Sequence, residues 1–339
     1  MTISDSSKII LSFVIAFLFS SAFGKVYVPW LRRHKAGQEI RSDGPTWHNP
    51  KAGTPTMGGL MFIFAVILVC FTIGFDNILK GDISFLYILV FALAFGIIGF
   101  LDDWEKLRHK KNLGLSAKAK FALQLAFSLI FVVQMRRIGY VSNYIYIPFA
   151  NFYVHISPWL YNILATFVIV GTVNAVNITD GLDGLSSCTS IPVFFFYTVM
   201  AYRWGILYNG LGMMSSAMIG GLMGFLLYNF YPAKCFMGDT GSLFMGGLIA
   251  AMAFVFDMPL VLVTLGFIFV IETLSDIIQV CYFKATHGKR IFKMAPFHHH
   301  LEMGGWTGRK WSEKEIVFLF AGIQVLMAIF SYIGVHNRF

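Results

Sequence analysis

The chain has 339 residues, of which 57% are apolar and only 13% charged. A water-soluble domain carries about a quarter charged residues, so an ordinary soluble enzyme is excluded, and residues 1–339 read as one transmembrane domain with no soluble second unit. The net charge of +9 does not point to nucleic acid, because the cations sit in short loops between apolar runs; that distribution fits a basic membrane face meeting anionic or phosphorylated ligands.

The predicted fold is an all-α polytopic membrane protein. A span needs about 20 apolar residues, and ten segments qualify as candidates: 9–31, 57–75, 83–101, 119–135, 158–176, 185–202, 210–230, 240–256, 258–280 and 316–335. The first has only Lys8 against Asp5 before it and a basic stretch after it, so it reads as an uncleaved span and not a signal peptide. The fourth and eighth are short. The ninth carries Glu272 and Asp276 and is expected to be broken or bent. Residues 140–157 are rich in tyrosine and alternate around Ala150-Asn151, which predicts a small β-hairpin on the outer membrane surface. Cys70, Cys188, Cys235 and Cys281 are far apart, which suggests neither a disulfide framework nor a zinc site.

Charge sets the orientation. Of the 26 basic residues, only Lys8, Lys80, Arg136, Arg137, Arg203 and Arg338 fall on the side where the chain begins; the other 20 lie on the opposite side. The basic side is therefore cytoplasmic and both termini are outside.

Every unusual polar cluster falls on that cytoplasmic side. The first loop ends in His48-Asn49-Pro50-Lys51-Ala52-Gly53-Thr54-Pro55-Thr56-Met57-Gly58-Gly59. The third span ends in Asp102-Asp103. The fifth ends in Asn177-Ile178-Thr179-Asp180-Gly181-Leu182-Asp183-Gly184. The seventh runs through Asn229 and Phe236 into Gly238-Asp239-Thr240-Gly241-Ser242. The ninth leads to Ala295-Pro296-Phe297-His298-His299-His300.

Adjacent carboxylates repel, so one of Asp102 and Asp103 needs a cation, a metal or a raised pKa. A solvated helix end answered by Lys106 and Arg108 is the plainer reading, but Asp180, Asp183 and Asp239 on the same face favour a site. Carboxylates without cysteine or clustered histidine ligands suit Mg²⁺, which fills its shell with substrate phosphates and water. Lys51, Lys120, Thr56 or Ser242 and the glycine-rich backbones can meet phosphates; close helix packing is the plainer account of those glycines. Three consecutive histidines cannot all point one way on a regular element, and a substrate contact is preferred here over a metal site or a surface patch. Glu272 and Asp276 are either functional intramembrane acids or helix-end charges meeting Lys284, and they stay outside the site.

Segments 51–59, 102–103, 177–185, 229–242 and 295–300 resemble, in order, those of the polyprenyl-phosphate N-acetylhexosamine-1-phosphate transferase superfamily, and within it the phospho-N-acetylmuramoyl-pentapeptide transferases. The aspartate pair and Asp180-Gly181-Leu182-Asp183-Gly184 mark the superfamily; residues 53–59 and 295–300 are similar to the muramoyl-pentapeptide branch. The resemblance implies a Mg²⁺-dependent transfer from UDP-N-acetylmuramoyl-pentapeptide to undecaprenyl phosphate, giving lipid I and UMP. It also implies a cytoplasm-facing cleft in a bacterial inner membrane and a homodimer. By analogy, Asp239 is the main Mg²⁺ ligand, and Asp102, with Asp103 beside it, deprotonates or orients the lipid phosphate. Asn177, Asp180 and Asp183 hold the nucleotide side with Lys51, Thr56, Lys120, Asn229 and Phe236, which stacks on uracil, while His298, His299 and His300 position substrate. An aspartyl-phosphate route with Asp239 as nucleophile stays open. The rivals are a related transferase using UDP-N-acetylglucosamine and a transporter; the latter is disfavoured because charges sit at helix ends and no repeat is visible.

Overall fold

The computed structural model describes residues 4–34, 51, 53–109, 114–205 and 209–338. The expectations for Lys35, Arg41, residues 48–50, Ala52, Lys110 and Lys111 lie outside them.

In chain order the helices are α1 (Asp5–Arg33), α2 (Leu60–Thr72), α3 (Phe75–Leu79), α4 (Ser84–His109), α5 (Ala117–Arg137), α6 (Pro158–Thr179), α7 (Leu185–Trp204), α8 (Asn209–Asn229), α9 (Gly238–Val255), α10 (Leu262–Leu265), α11 (Phe267–Ala285), α12 (Phe297–Glu302) and α13 (Glu313–Val335). Local chemistry sets several starts. Ser116 accepts the Ala119 N–H at the head of α5, Pro158 opens α6, and Ser312 and Glu315 form a reciprocal capping box on α13.

Among the described residues eight helices are long and apolar enough to cross a membrane, and the pair Pro259–Leu265 and Phe267–Ala285, bent by 83°, makes nine if it counts as one span. The ninth segment is thus broken as expected, at Gly266. The second expected span differs: α2 has 13 residues, about 20 Å at 1.5 Å per residue, short of a bilayer core. The residues before it are used elsewhere, since the Gly58 and Gly59 amides donate to the Phe236 and Met237 carbonyls and hold the chain in a loop.

Helices α8 and α9 lie at the centre, with 83% and 89% of their most apolar windows buried. Helix α1 runs along α8, and α4 along α9. The buried stripe of α1 is small and spaced by four, Ser12, Ala16, Ser20 and Gly24, while Ile10, Leu18 and Val26 face outward. That is the pattern of helices meeting in lipid, where small residues admit close backbones and hydroxyls bond across: Ser20 donates to the Gly221 carbonyl at 2.9 Å.

The hairpin is present. Strands β1 (Tyr144–Ile147) and β2 (Phe152–His155) pair antiparallel, Tyr144 opposite His155. It docks on α13 through Phe149 N–H to the Gly334 carbonyl. Arg338 lies over Tyr146 and pairs with Asp257 at this end of the bundle.

At the opposite end converge the C-termini of α4, α6 and α8 and the N-termini of α5, α7, α9 and α13. A small apolar cluster of Leu182, Leu185, Ile268, Ile316, Val317 and Phe320 ties the 182–185 turn to α11 and α13 there.

Candidate active site

Asp239 opens α9, where the helix dipole favours a negative charge. Both of its oxygens are engaged. Oδ1 accepts from Asn177 Nδ2 at 2.8 Å; Oδ2 lies 2.6 Å from Lys120 Nζ and 3.1 Å from Lys106 Nζ. Asn177 also donates to Ser242 Oγ at 2.8 Å, fixing the end of α6 against the first turn of α9.

Asp102 faces the same ammoniums. Its Oδ2 is 2.6 Å from Lys106 Nζ and 3.8 Å from Lys120 Nζ, and its Oδ1 accepts the Leu115 N–H at 2.9 Å. Lys106 therefore bridges two carboxylates from different helices. Asp103 has another task. It accepts the Asp239 N–H at 3.2 Å, the Thr240 N–H at 2.9 Å and the Thr240 hydroxyl at 2.7 Å, so it caps α9 from α4. Gly238 has φ +75 between them, and a side chain there would collide with Asp103 Oδ2 and Thr56 Oγ1.

A second charged centre lies at the 180–184 turn. Lys51 Nζ is 2.8 Å from Asp183 Oδ1 and 2.6 Å from Glu313 Oε2. Asp183 Oδ2 accepts the Ala233 N–H at 2.9 Å. Burial opposes the Lys51 charge, but Glu313 and Asp183 outweigh it and hold the ammonium above its ordinary pKa. Asn229 locks the turn to the end of α8, accepting the Gly184 N–H and donating to the Cys235 carbonyl.

Asp180 lies between the centres. Its carboxylate makes no hydrogen bond or ion pair among the described residues. Burial, then the charges of Asp239, Asp103 and Asp183, push it well above the usual carboxylate range. A carboxylate in that position calls for a cation.

The histidines separate. His298 Nδ1 pairs with Glu272 Oε2 at 2.8 Å, and its N–H reaches Glu272 Oε1 at 3.2 Å. Burial works against a charged ring, but Glu272, then Glu302 and Asp276, hold His298 above its ordinary pKa. His299 Nδ1 pairs with Glu302 Oε2 at 2.6 Å. His300 Nδ1 accepts the Lys293 N–H at 3.1 Å, and burial and then Lys293 lower its pKa.

One carboxylate oxygen from each of Asp102, Asp103 and Asp239 lies within 4.8 Å of the other two. An all-oxygen set of hard donors fits Mg²⁺. Asp103 is committed to the α9 backbone and Thr240, which leaves Asp239 and Asp102, each facing an ammonium, as the members that could hold a cation.

The sequence that carries these segments matches known proteins. The family model described as glycosyl transferase family 4 matches residues 85–257, from α4 through α9. A phospho-N-acetylmuramoyl-pentapeptide-transferase signature matches residues 51–63. The phospho-N-acetylmuramoyl-pentapeptide-transferase of Oceanobacillus iheyensis is 41% identical over 97% of this chain and 99% of its own length. Those of Clostridium botulinum (strain Alaska E43 / Type E3) and Listeria monocytogenes serotype 4b (strain CLIP80459) are 43% and 44% identical over 95% and 94% of this chain, and over 94% and 96% of their own lengths. The chain belongs to the phospho-N-acetylmuramoyl-pentapeptide-transferase family. It is a transferase and a multi-pass membrane protein.

The residues that resemble this transferase family come together. Asp102, Lys120, Asn177 and Asp239 form one connected group, and Lys51, Asp183 and Asn229 a second, with Asp180 between. Thr56 is buried against Gly238. Phe236 pairs through its backbone with Pro55 and Gly58, and its ring is half-buried. The glycine-rich stretches follow the plainer reading at Gly59 and Gly241, whose backbones touch. His299 turns to Glu302, and His300 to Phe292 and Trp306. Three participants were absent from the expected site. Lys106 was legible as a cation four residues after Asp102, one helical turn away. Glu313 gave no signal, because it meets Asp183 from 130 residues away. Glu272 pairs with His298 in the core and not with Lys284.

Proposed function

We propose that this chain transfers phospho-N-acetylmuramoyl-pentapeptide from UDP-N-acetylmuramoyl-pentapeptide to undecaprenyl phosphate, giving lipid I and UMP, with Mg²⁺ as cofactor. It works in the bacterial inner membrane as a homodimer, with the site on the cytoplasmic face. The observation that carries this reading is the meeting of Asp102 and Asp239 on the ammoniums of Lys106 and Lys120, at the mouth of helices that reach into the bilayer.

In the transfer, an oxygen of the lipid phosphate forms a bond to the phosphorus that carries the sugar, and the bond from that phosphorus to the UMP oxygen breaks. Such reactions depend on positioning and charge neutralisation. Mg²⁺ held by Asp239, with Asp102 beside it, would neutralise the diphosphate charge and polarise its oxygens. Lys106 and Lys120 offset the carboxylates in the structure and are free to turn to phosphate oxygens when substrate enters. Asp102 orients the lipid phosphate and takes its proton where one is present. Asp103 acts through α9, holding the Asp239 backbone. Asp180 and Asp183, with Lys51, Thr56, Asn177, Asn229 and Phe236, form the nucleotide side.

A substrate exchange tests the branch. Purified protein given UDP-N-acetylmuramoyl-pentapeptide, undecaprenyl phosphate and Mg²⁺ releases UMP and forms an organic-extractable sugar lipid. UDP-N-acetylglucosamine in its place gives neither; turnover with that sugar instead moves the chain to the rival branch.

A further inference from the structure

Arg136 lies in the last turn of α5, at the opposite end of that helix from Lys120. An arginine at a helix end beside a bilayer ordinarily lays its stem along apolar surface and reaches its head into water. Arg136 does the reverse. The residue as a whole is half-buried, but both terminal nitrogens, Nη1 and Nη2, are covered. The guanidinium turns inward onto α6, where Nε donates to Asn162 Oδ1 at 3.1 Å and the group lies 5.0 Å from the centre of the Tyr161 ring.

Neither Nη1 nor Nη2 has a hydrogen-bond partner among the described residues. Asp257 is the acid whose charge reaches the Tyr161 hydroxyl together with that of Arg136, but it is committed to Ser142 and to Arg338, each at 3.2 Å. Two further polar atoms at this end are covered and unpaired: the Tyr161 hydroxyl, on a residue 2% exposed, and Asn143 Oδ1. The Ile156 N–H donates to the Asn143 carbonyl at 3.0 Å and so ties Asn143 to the segment that leads into α6. Stacking on Tyr161 answers the face of the guanidinium and none of its N–H groups. A covered cation without a counter-charge is among the most costly features a fold can carry, and the end of α5 offers an easy swing to water. An inward head with two free amino nitrogens beside a free hydroxyl therefore marks a place where an anion binds. Paired N–H groups of this kind match the oxygens of a phosphate.

We infer that Arg136, with the Tyr161 hydroxyl beside it and Asn162 holding its Nε, forms a second anion site, which takes the phosphate oxyanion of a lipid headgroup or of free phosphate. Ile138, Trp159 and Ile163 are exposed on either side, the composition of a membrane rim, and the half-exposed stem of Arg136 lets the head turn to meet a ligand arriving along the seam of α5 and α6. The site is independent of the transferase reading. On the orientation proposed above it faces the outer leaflet, away from the carboxylate centre.

The test reads unfolding temperature and, by native mass spectrometry, retained lipid, for the full chain purified in a neutral detergent. The probes are phosphatidylglycerol, the diacylglycerol with the same chains, and inorganic phosphate. A ligand that binds only the folded state raises the unfolding temperature as its concentration rises. The wild type gains with phosphatidylglycerol over diacylglycerol. Arg136→Gln loses that gain and binds the lipid about tenfold or more weakly, the loss expected for hydrogen bonds to a charged group. Tyr161→Phe loses part of the gain, and Arg137→Gln, at the exposed neighbour, keeps it. An equal gain with inorganic phosphate, again lost in Arg136→Gln, supports the site and identifies free phosphate as its ligand. Should Arg136→Gln fail to fold, Arg136→Lys keeps the charge without the fork and shows the same loss in smaller measure. The inference is wrong if neither phosphate probe moves the wild type, or if every folded Arg136 variant gains as much as the wild type does. It is also wrong if Arg137→Gln loses as much as the Arg136 variant, since the attraction then belongs to the surface charge alone.

Discussion

Lys120 Nζ lies 2.6 Å from Asp239 Oδ2, joining the first turn of α5 to the first turn of α9 across 119 residues of sequence. The same oxygen takes Lys106 from α4. Lys106 also pairs with Asp102, so two ammoniums meet two carboxylates here, and a cation taken up by the carboxylates would release Lys120 to an anionic substrate. Lys120→Ala should therefore weaken binding of the nucleotide sugar, read as a raised KM or as a weaker affinity in titration. An unchanged affinity would remove Lys120 from the nucleotide side.

Asp102 and Asp103 are neighbours with different duties, and substitution separates them. Asp102→Asn keeps the shape of its side chain and should lose most activity with little change in unfolding temperature. Asp103→Ala removes the cap of α9, at a cost of about 1 kcal/mol or more. It should lower the unfolding temperature together with activity. Equal thermal behaviour in the two variants would contradict the capping role.

How much of this was legible in the sequence follows from the range of each interaction. The helical segments were legible because a bilayer demands long apolar runs, and the hairpin because its alternation is local. The length of α2 was not, since its start is decided by Gly58 and Gly59 pairing with Phe236 and Met237 far along the chain. For the site, the alternation of spans brought Asp102, Asp180 and Asp239 to one face before any contact was known. Contacts between distant segments stayed hidden. Glu313 reaching Lys51 and Glu272 reaching His298 leave no periodic trace, and the three adjacent histidines read alike until their partners are seen.

The ion pair of Lys51 with Glu313 and Asp183 gives a third prediction. Glu313→Gln should raise the KM for the nucleotide sugar several-fold, because Lys51 loses one of the two anions that fix it beside the turn. In a double-mutant cycle, Glu313→Gln and Lys51→Ala should be non-additive. Additive losses would show that Glu313 acts independently of Lys51.

Asp180 gives a prediction in pH. Its folded pKa is raised by burial, then by Asp239, Asp103 and Asp183. A raised carboxyl favours the fold in its protonated form, so its contribution is present below the unfolded value, about 3.9, and is lost as pH rises through the folded value. Without divalent cation at neutral pH, Asp180→Asn should therefore unfold at a higher temperature than the wild type. The gap should close as pH falls, and it should narrow when Mg²⁺ is added to the wild type. A variant less stable than the wild type at neutral pH without cation would show that Asp180 already has a cationic partner.

The central claim is that a carboxylate centre at Asp239 and Asp102 carries Mg²⁺-dependent phosphoryl transfer. Its most direct test is UMP release from UDP-N-acetylmuramoyl-pentapeptide and undecaprenyl phosphate by the purified protein, with Mg²⁺, with chelator, and with Asp239→Asn. The account predicts steady release with Mg²⁺, none with chelator, recovery when Mg²⁺ is restored, and a fall in kcat of about a hundredfold or more in folded Asp239→Asn. Undiminished release by Asp239→Asn, or release that ignores the chelator, would contradict it.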